Sequence, residues 1–411
     1  MREPRVKGER ATPGYSASSP PSSLFLRFIM LLMGKSVLRS IHGLAIAGLL
    51  GALAGLAAEE RPVNVSRTPG DSLVPAVAVG PDGAIHVVWH EAFADRFEVL
   101  YSRSPDGGQR FSPAVPISGA GEAQVPALAV DGEGTVYAVW EGGGGQSHGL
   151  LVSRSTDGGR TFSPPRPLAA AGAKLPAIAA HGKGQVLVAW QDSSGPGRQI
   201  LLRRSTDEGA SFEPPRPLAP HAAGTRAPAI AVGPGGTAVV VWQGAVAGSP
   251  AVVASSSPDG RTFSPPRSVA PGARERQTPA VAVAGGGIYV VWRDRVAGRW
   301  EILFARSTDG GLTFSPPLNL SRTPGLANVP AIAVDGKGRI AVAWQDDRAG
   351  APQIFVARST DHGATFSQPV NASGTSGFAH LPALAASGDR TFLVWHDNSP
   401  GNFEILLRPL P

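Results

Sequence analysis

Hydrophobic and polar positions along the chain recur with a period of 50 to 52 residues. A Pro-Ala-aliphatic-Ala segment marks each period, and a tryptophan follows about fourteen residues later. The segments start at Pro75, Pro126, Pro176, Pro228, Pro279, Pro330 and Pro382, and the tryptophans are Trp89, Trp140, Trp190, Trp242, Trp292, Trp344 and Trp395. A regular period of this length predicts one large repeat unit rather than several unrelated domains.

Turn signals divide each period into four short strands. In the sixth period the pattern predicts strands over 331–334, 339–344, 353–358 and from 366 to about 371. The second of these is apolar at both alternating sets of positions. A strand that buries both faces must lie between neighbouring sheets, as in a propeller blade.

Six periods also contain a turn motif, seen most plainly from Ser307 to Phe314. An Asp that accepts backbone N–H groups and a Gly at positive φ suit a tight turn, and the closing Phe can anchor it in the core. The motif resembles the Asp-box, or BNR repeat, of sialidase-like β-propellers. Its aspartates are predicted to be structural: Asp106, Asp157, Asp207, Asp259, Asp309 and Asp361.

The seventh period has three predicted strands and no turn motif, whereas residues 62–70 closely match the fourth strand of the fifth period, around 318–325. The sequence therefore predicts an all-β fold: a seven-bladed β-propeller of four-stranded antiparallel blades. Residues 59–411 form this single domain, and an N-terminal strand closes the ring by joining the C-terminal blade. Sialidases have six blades, so the resemblance does not extend to blade number.

Two sets of positions are expected on one face of the ring, opposite the turn motifs, if the first strands line the channel. The first set lies two residues before each Pro-Ala and is polar in six of seven periods. It predicts a binding ring at the channel mouth: Gln124, Lys174, Arg226, Gln277, Asn328 and His380. The alternative is that these loop residues are polar because they meet water.

The second set follows the tryptophans and forms a candidate polar ring of His90, Glu91, Asp192, Asp294, Asp346, His396 and Asp397. One interpretation is a hairpin turn braced by exposed ion pairs, and the other is carboxylates available for acid–base chemistry. The Asp-x-Asp-x-Asp-Gly spacing of a calcium loop is missing, so neither a metal nor another cofactor is predicted.

Ring closure would bring His90 and Glu91 of the first period beside His396 and Asp397 of the last, with His380 nearby. Three histidines and two carboxylates at one seam could form a proton-handling or metal site. Exposed loop histidines without a function are the alternative.

The net charge of +6 and the pI near 10.0 suggest nucleic-acid binding until the charges are located. Residues 1–57 carry seven Lys/Arg against two Glu, which accounts for +5, and the remainder is nearly neutral. No basic patch with interleaved aromatic residues stands out, so nucleic acid is not a predicted partner. We expect a monomer that binds a glycan or a protein.

A leader is predicted over residues 1–58. From Met33 a short basic segment, an apolar run over 44–56 and small residues before Glu59 match a secretory signal peptide over 33–58. The apolar run is shorter than the roughly 20 residues of a transmembrane helix, so no stable membrane span is expected after cleavage. The protein is therefore expected in the periplasm or outside the cell.

The resemblance to sialidases implies a catalytic set that this sequence lacks. That family uses an arginine triad, a Tyr nucleophile paired with Glu, an Asp acid/base and a Phe/Tyr-Arg-Ile-Pro segment, and no such segment occurs here. Tyr101, Tyr137 and Tyr289 fall inside predicted strands. We therefore expect a secreted binding or scaffold propeller that is not an enzyme, with an exo-sialidase-type glycoside hydrolase as the alternative.

Export predicts that the mature protein begins near Glu59, after cleavage at Ala57 or Ala58. N-terminal sequencing or intact-mass analysis of the exported protein checks this expectation. A mature chain that still contains Met33 would contradict it.

Overall fold

Strands make up the regular secondary structure of the computed structural model, which describes residues 61–411 except 120, 144–147, 196, 220–224 and 271–276. This described part contains 28 β-strands and no helix, and hence no helix long and apolar enough to cross a membrane. The leader and its predicted cleavage site lie outside the described residues.

Each blade is a four-stranded antiparallel sheet whose strands follow one another outward from the channel. The inner strands are β2 Asp71–Val79, β6 Gln124–Val130, β10 Ala173–His181, β14 Arg226–Val232, β18 Gln277–Ala284, β22 Ala327–Val334 and β26 Ala379–Ser387. The second strands are β3 Ile85–Ala92, β7 Val136–Gly142, β11 Gln185–Asp192, β15 Ala238–Val246, β19 Gly287–Val296, β23 Ile340–Asp346 and β27 Arg390–Asp397.

The third strands are β4 Phe97–Ser104, β8 Gly149–Ser155, β12 Gln199–Ser205, β16 Ser249–Ser257, β20 Arg299–Ser307, β24 Gln353–Ser359 and β28 Glu404–Leu410. The outer strands are short: β5 Val115–Pro116, β9 Arg166–Ala169, β13 Arg216–Ala219, β17 Arg267–Ser268, β21 Leu318–Asn319, β25 Val370–Asn371 and β1 Val63–Asn64. The outer strand predicted over 366–371 is thus reduced to two residues.

The ring closes as predicted, and the seven-bladed propeller is confirmed. Strand β1 is the outer strand of the last blade, where Val63 lies opposite Leu407 and Asn64 opposite Leu406. The Val65 N–H extends this pairing by donating to the Ile405 carbonyl at 2.7 Å. Inner strands β2 and β26 pack together, as do the inner strands of the other neighbouring blades.

The hydrophobic cores lie between blades rather than within them. The core between blades 5 and 6, for example, combines Tyr289 and Phe304 of one blade with Trp344 and Phe355 of the next. All seven repeat tryptophans are at most 1% exposed. Truncating a buried tryptophan to alanine costs about 3–5 kcal/mol, so each interface depends strongly on its tryptophan.

Every inner strand contains a bulge, and the inner strand of blade 6 begins earlier than predicted. In blade 6 the strand starts at Ala327, and its register shifts between Asn328 and Ala331. The same shift occurs in all seven blades. The residue just before each proline has a positive φ of 44–52°: Val74, Val125, Leu175, Ala227, Thr278, Val329 and Leu381. This left-handed conformation costs an L-residue about 1–2 kcal/mol, so the fold retains a strained residue in every blade.

The turn motifs lie on the rim opposite the bulges and fasten one blade to the blade before it. Within the fifth motif the Ser307 hydroxyl donates to Asp309 Oδ1 at 2.7 Å, and the same carboxylate oxygen accepts the Thr313 N–H at 3.0 Å. In the sixth motif the Phe366 ring packs edge-on against Phe304 of blade 5, 4.9 Å between centroids. The six aspartates named above all bind their motif serine in this way.

The hairpins between first and second strands end on this same rim and touch through their backbones. The Gly132 N–H donates to the Gly182 carbonyl at 2.8 Å, and the Gly336 N–H donates to the Gly388 carbonyl at 2.6 Å. A cavity of about 570 Å³ opens among these hairpins. We call this end of the channel the turn end.

The fifth residue of the turn motif is glycine in five of the six copies, and in the sixth motif the preceding blade packs directly on it. Gly363 has φ +79°, and an added Cβ would overlap the Phe304 ring at 2.5 Å. Gly363→Ala is expected to lower the free energy of unfolding by about 3–4 kcal/mol, from backbone strain plus steric overlap. Urea denaturation measures this change.

Gly310→Ala is the matched control, since Gly310 has φ +74° and nothing within 4 Å of an added Cβ. Only the backbone strain applies there, and we expect a loss of about 1 kcal/mol. Equal losses for the two variants would contradict the close packing of Gly363.

Candidate functional site at the channel mouth

The starts of the inner strands and the ends of the second strands meet at one end of the channel, which we call the mouth. Strand pairing places each residue of the predicted binding ring opposite the residue that directly follows a tryptophan. The seven pairs are Leu73–His90, Gln124–Glu141, Lys174–Gln191, Arg226–Gln243, Gln277–Arg293, Asn328–Gln345 and His380–His396. All six predicted ring residues are therefore brought to one mouth, where they are half-buried or exposed.

Sequence reasoning missed most members of the second half of this ring. It singled out the residue two positions after each tryptophan, whereas the mouth receives the residue one position after: Glu141, Gln191, Gln243, Arg293 and Gln345, besides the predicted His90 and His396. Successive strand residues point to opposite faces, so the period-two alternation contained the signal.

Some of these mouth residues also join neighbouring blades. Glu141 Oε1 accepts the N–H of Leu175, the strained residue of the next blade, at 2.7 Å. At the ring seam, His396 Nδ1 accepts the Val74 N–H at 3.3 Å. The bulge frees these backbone donors from the strand ladder, and a polar side chain from the preceding blade satisfies them.

The carboxylates two positions after the tryptophans are buried, which is at odds with the interpretation of a turn braced by exposed ion pairs. Glu91, Asp346 and Asp397 are 0% exposed, and Asp192 and Asp294 are 6% and 5% exposed. Four of the five accept the indole N–H of their own blade's tryptophan at 3.0–3.3 Å: Glu91, Asp294, Asp346 and Asp397. Asp192 instead accepts the Ser194 N–H and hydroxyl.

Two blades in which no carboxylate binds the tryptophan indole N–H show what this hydrogen bond contributes to stability. In blade 2 the equivalent residue is Gly142, and in blade 3 Asp192 turns toward Ser194. The indole N–H groups of Trp140 and Trp190 are buried without a hydrogen-bond partner in these two blades. A buried unpaired donor costs about 1–3 kcal/mol, so the carboxylates of blades 1, 5, 6 and 7 remove a real penalty.

The same carboxylates hold the loops that lead into the inner strands. Asp346 Oδ1 accepts the Thr323 hydroxyl at 2.8 Å, and Arg348 donates to Oδ2 at 2.7 Å. Burial alone would raise the pKa of Asp346, but the hydrogen bonds from Arg348, Trp344 and Thr323 outweigh it and lower the pKa. Apart from Glu91 Oε1, which is buried without a hydrogen-bond partner, the oxygens of these carboxylates are held by structural contacts.

The three histidines of the predicted seam cluster do come together. The rings of His380 and His396 are 5.4 Å apart, and the charge of His90 acts on His396. Glu91 and Asp397 are directed away from them, to the tryptophans. The seam is thus a cluster of imidazoles rather than the predicted five-residue set.

Burial governs the protonation of these imidazoles. It lowers the pKa of His90 to about 4. Burial and repulsion by His380 and His90 lower the pKa of His396 to about 3. Both are therefore neutral at pH 7. Within the described residues no group of three His, Asp or Glu side chains has the geometry to hold a metal ion.

Aromatic and basic side chains surround the mouth on different sides. Near the seam, Phe378 is 48% exposed and stacks on His380 at 6.5 Å, and Phe403 lies 5.2 Å from His396. On blade 5 the Arg293 guanidinium lies 3.8 Å above the Trp300 ring. Lys174 and Arg226 are exposed on blades 3 and 4.

The tyrosines are core residues. Tyr101, Tyr137 and Tyr289 are at most 4% exposed. His86 and Asp131 hydrogen-bond the Tyr101 and Tyr137 hydroxyls at 2.7 and 2.9 Å. Burial raises the pKa of all three phenols. None of the tyrosines in the described chain is therefore available as a nucleophile at the mouth.

No model of a known protein family matches the chain, and no curated protein is detectably similar to it. Solved structures share its fold. A protein of unknown function from Dyadobacter fermentans matches with a TM-score of 0.52 and 16% identity, over 85% of this chain and 98% of that one. A GH93 α-L-arabinofuranosidase of Fusarium graminearum, solved with arabinobiose, matches with a TM-score of 0.54 and 13% identity, over 85% and 97%.

A Hadza microbial sialidase matches with a TM-score of 0.50 and 17% identity, over 83% of this chain and 66% of that one. At these identities the likeness is one of fold. The chain is thus similar in architecture to glycoside hydrolase propellers.

The structural role of the buried carboxylates is testable at Asp346. Asp346→Ala leaves the Trp344 indole unpaired and the Arg348 charge without its partner, so the free energy of unfolding should fall by about 3–5 kcal/mol. Asp192→Ala is the control, because its carboxylate only caps a turn and its loss should cost about 1 kcal/mol. Urea denaturation measures both changes. A loss of stability for Asp346→Ala no larger than that for Asp192→Ala would refute the structural role of the Asp346 carboxylate.

Proposed function

We propose that the protein is an exported propeller that binds a carbohydrate at the channel mouth and performs no chemistry on it. The observation that carries this proposal is the ring of cross-strand pairs at one end of the channel, in which every blade contributes at least one polar residue. Clefts with a few convergent polar groups and aromatic walls are the usual form of ligand sites.

The residue types at the mouth favour a sugar. Gln124, Gln277 and Asn328 each offer a hydrogen-bond donor and an acceptor on one side chain, which suits vicinal hydroxyl groups. The exposed Phe378 ring offers an apolar face for the C–H side of a pyranose. The same surface could instead bind a protein that covers Phe378.

The fold neighbours favour a carbohydrate over a protein ligand. Two of those described above are enzymes that act on glycans, a sialidase and an arabinofuranosidase. An exo-sialidase-type glycoside hydrolase is therefore the alternative function. Against it stand the buried tyrosines and the post-tryptophan carboxylates, which are bound to indole, hydroxyl and backbone groups rather than directed into the mouth.

Export is a further part of this proposal. It rests on the sequence pattern over residues 33–58, and a glycan ligand outside the cytoplasm is consistent with it. The N-terminal analysis described above tests it separately from ligand binding.

Glycan-array binding by the mature protein, residues 59–411, tests the function. We expect one class of glycan to bind and the double variant Gln277→Ala/Asn328→Ala to bind it about tenfold or more weakly, since each neutral hydrogen bond contributes about 0.5–1.5 kcal/mol. Phe378→Ala should weaken the same binding.

Leu312→Ala is the control, because Leu312 is 59% exposed but lies in a turn motif on the opposite rim. Binding that is lost equally in the control, or no binding to any glycan, would contradict the proposal. Turnover of a fluorogenic sialoside or arabinofuranoside by the same protein would replace it with the hydrolase alternative.

A further inference from the structure

The seam between the last and first blades is where the ring is closed by sequence-distant segments. The outer strand β1 contributes two paired residues, and the Val65 and Ser72 N–H groups add bonds to the Ile405 and Phe403 carbonyls at 2.7 and 2.8 Å. Within each of the other described blades, sequence-adjacent strands form the sheet. Opening at this seam therefore breaks this short ladder, together with the bonds that the Asn402 and Ser66 side chains make across it.

One of the bonds across the seam depends on a neutral imidazole. His396 Nδ1 accepts the Val74 N–H, whereas at the joint between blades 2 and 3 the Glu141 carboxylate accepts the Leu175 N–H. A carboxylate accepts hydrogen bonds throughout the neutral pH range. An imidazole nitrogen loses its lone pair when it is protonated and then directs an N–H at the Val74 N–H.

The surroundings of His396 offer little compensation for a positive charge. His380 and His90 repel it, and Phe403 covers one edge. His90 is 7% exposed and its Nδ1 is buried without a hydrogen-bond partner. A proton on either His90 or His396 would therefore be held in an apolar, crowded place.

The carboxylates on the adjoining strands have other partners. Asp397, on the same strand as His396, accepts the Trp395 indole N–H. Its charge raises the pKa of His396, but this is the smallest of the effects on that pKa. Asp71 accepts the Phe403 N–H, the Ser66 hydroxyl donates to Glu404, and Glu91 accepts from Trp89 and Ser72. None of these four makes a hydrogen bond with a seam imidazole in the described structure.

We propose that the seam is an acid-sensitive joint: protonation of His90 and His396, with His380 beside them, separates the last blade from the first and opens the mouth. This inference concerns ring closure and does not depend on which ligand the mouth binds. It assigns a function to the histidine cluster that ligand binding leaves unexplained.

The pH window follows from the direction of the pKa shifts. Both histidines have folded pKa values near 4 and 3, below the ordinary value of 6.5, so they stabilise the closed ring above pH 6.5. The stabilisation is lost as the pH falls from 6.5 toward 4. Between pH 7 and pH 5 the equilibrium constant for closure should fall roughly 20-fold for each histidine that opening exposes.

Hydrogen–deuterium exchange of the purified protein at pH 7.0 and 5.0, corrected for intrinsic exchange rates, tests the proposal. Peptides covering residues 63–74 and 404–410 should lose protection at pH 5.0 by at least tenfold relative to peptides from β15 and β16 of blade 4. Equal changes in the protection of seam and blade 4 peptides between pH 7.0 and pH 5.0 would overturn the proposal, whether or not any variant folds.

The double variant His90→Gln/His396→Gln gives the second measurement. Glutamine occupies the position of His396 in blades 3, 4 and 6, as Gln191, Gln243 and Gln345, and its side-chain oxygen accepts a hydrogen bond at any of these pH values. The variant should keep the seam protected at pH 5.0.

His181→Gln is the matched control, because His181 lines the cavity at the turn end. It should leave the acid sensitivity of the seam unchanged. Seam peptides that lose protection equally in the wild-type protein and the double variant would contradict the role of the histidines.

Discussion

The structure depends on one constraint: the second strand of every blade is apolar on both faces and cannot be covered by its own blade. Each sheet must therefore lie between two others, and the apolar clusters accordingly span neighbouring blades rather than the strands of one. A single blade has no core of its own, so stability is shared around the ring. Closing the ring is then essential, since an open end would expose one apolar face on each side of the gap.

The same alternation that buries these strands also builds the mouth. A tryptophan and the carboxylate two residues later lie on one face, where the carboxylate binds the indole and the incoming loop. The residue between them lies on the other face, opposite the start of the inner strand. Core and candidate site are thus interleaved on one strand, and residues that are adjacent in sequence serve different purposes.

Much of this architecture could be read from the sequence, because periodicity and end-matching are properties of the chain alone. The blade count and the closing strand followed from Trp89 to Trp395 and from the likeness of residues 62–70 to 318–325. The residues of the predicted binding ring lie at one mouth for the same reason, and their role in binding stays a prediction. Polar residues at equivalent points of a repeat must lie at equivalent points of the ring.

The sequence did not predict the environment of residues whose burial depends on a hydrogen-bond partner from another part of the blade. Glu91, Asp346 and Asp397 look like exposed turn residues in sequence, and only the indole N–H beside them explains their burial. The positive φ of Val74 and Val329 could not be predicted either, because a Val-Pro pair does not indicate a left-handed conformation. His90 and His396 lie at one seam, whereas the carboxylates of Glu91 and Asp397 bind the tryptophan indoles.

The two ends of the channel are built from different parts of the chain. At the turn end, glycine backbones touch directly, Gly132 against Gly182 and Gly336 against Gly388. At the mouth, side chains such as those of Glu141 and His396 make the contacts with the next blade. Substitution can therefore remodel the mouth blade by blade while the peptide groups that set the other end stay the same. Successive substitutions would thus change the shape and charge of one entrance only, and the opposite entrance would keep the geometry that its peptide groups set.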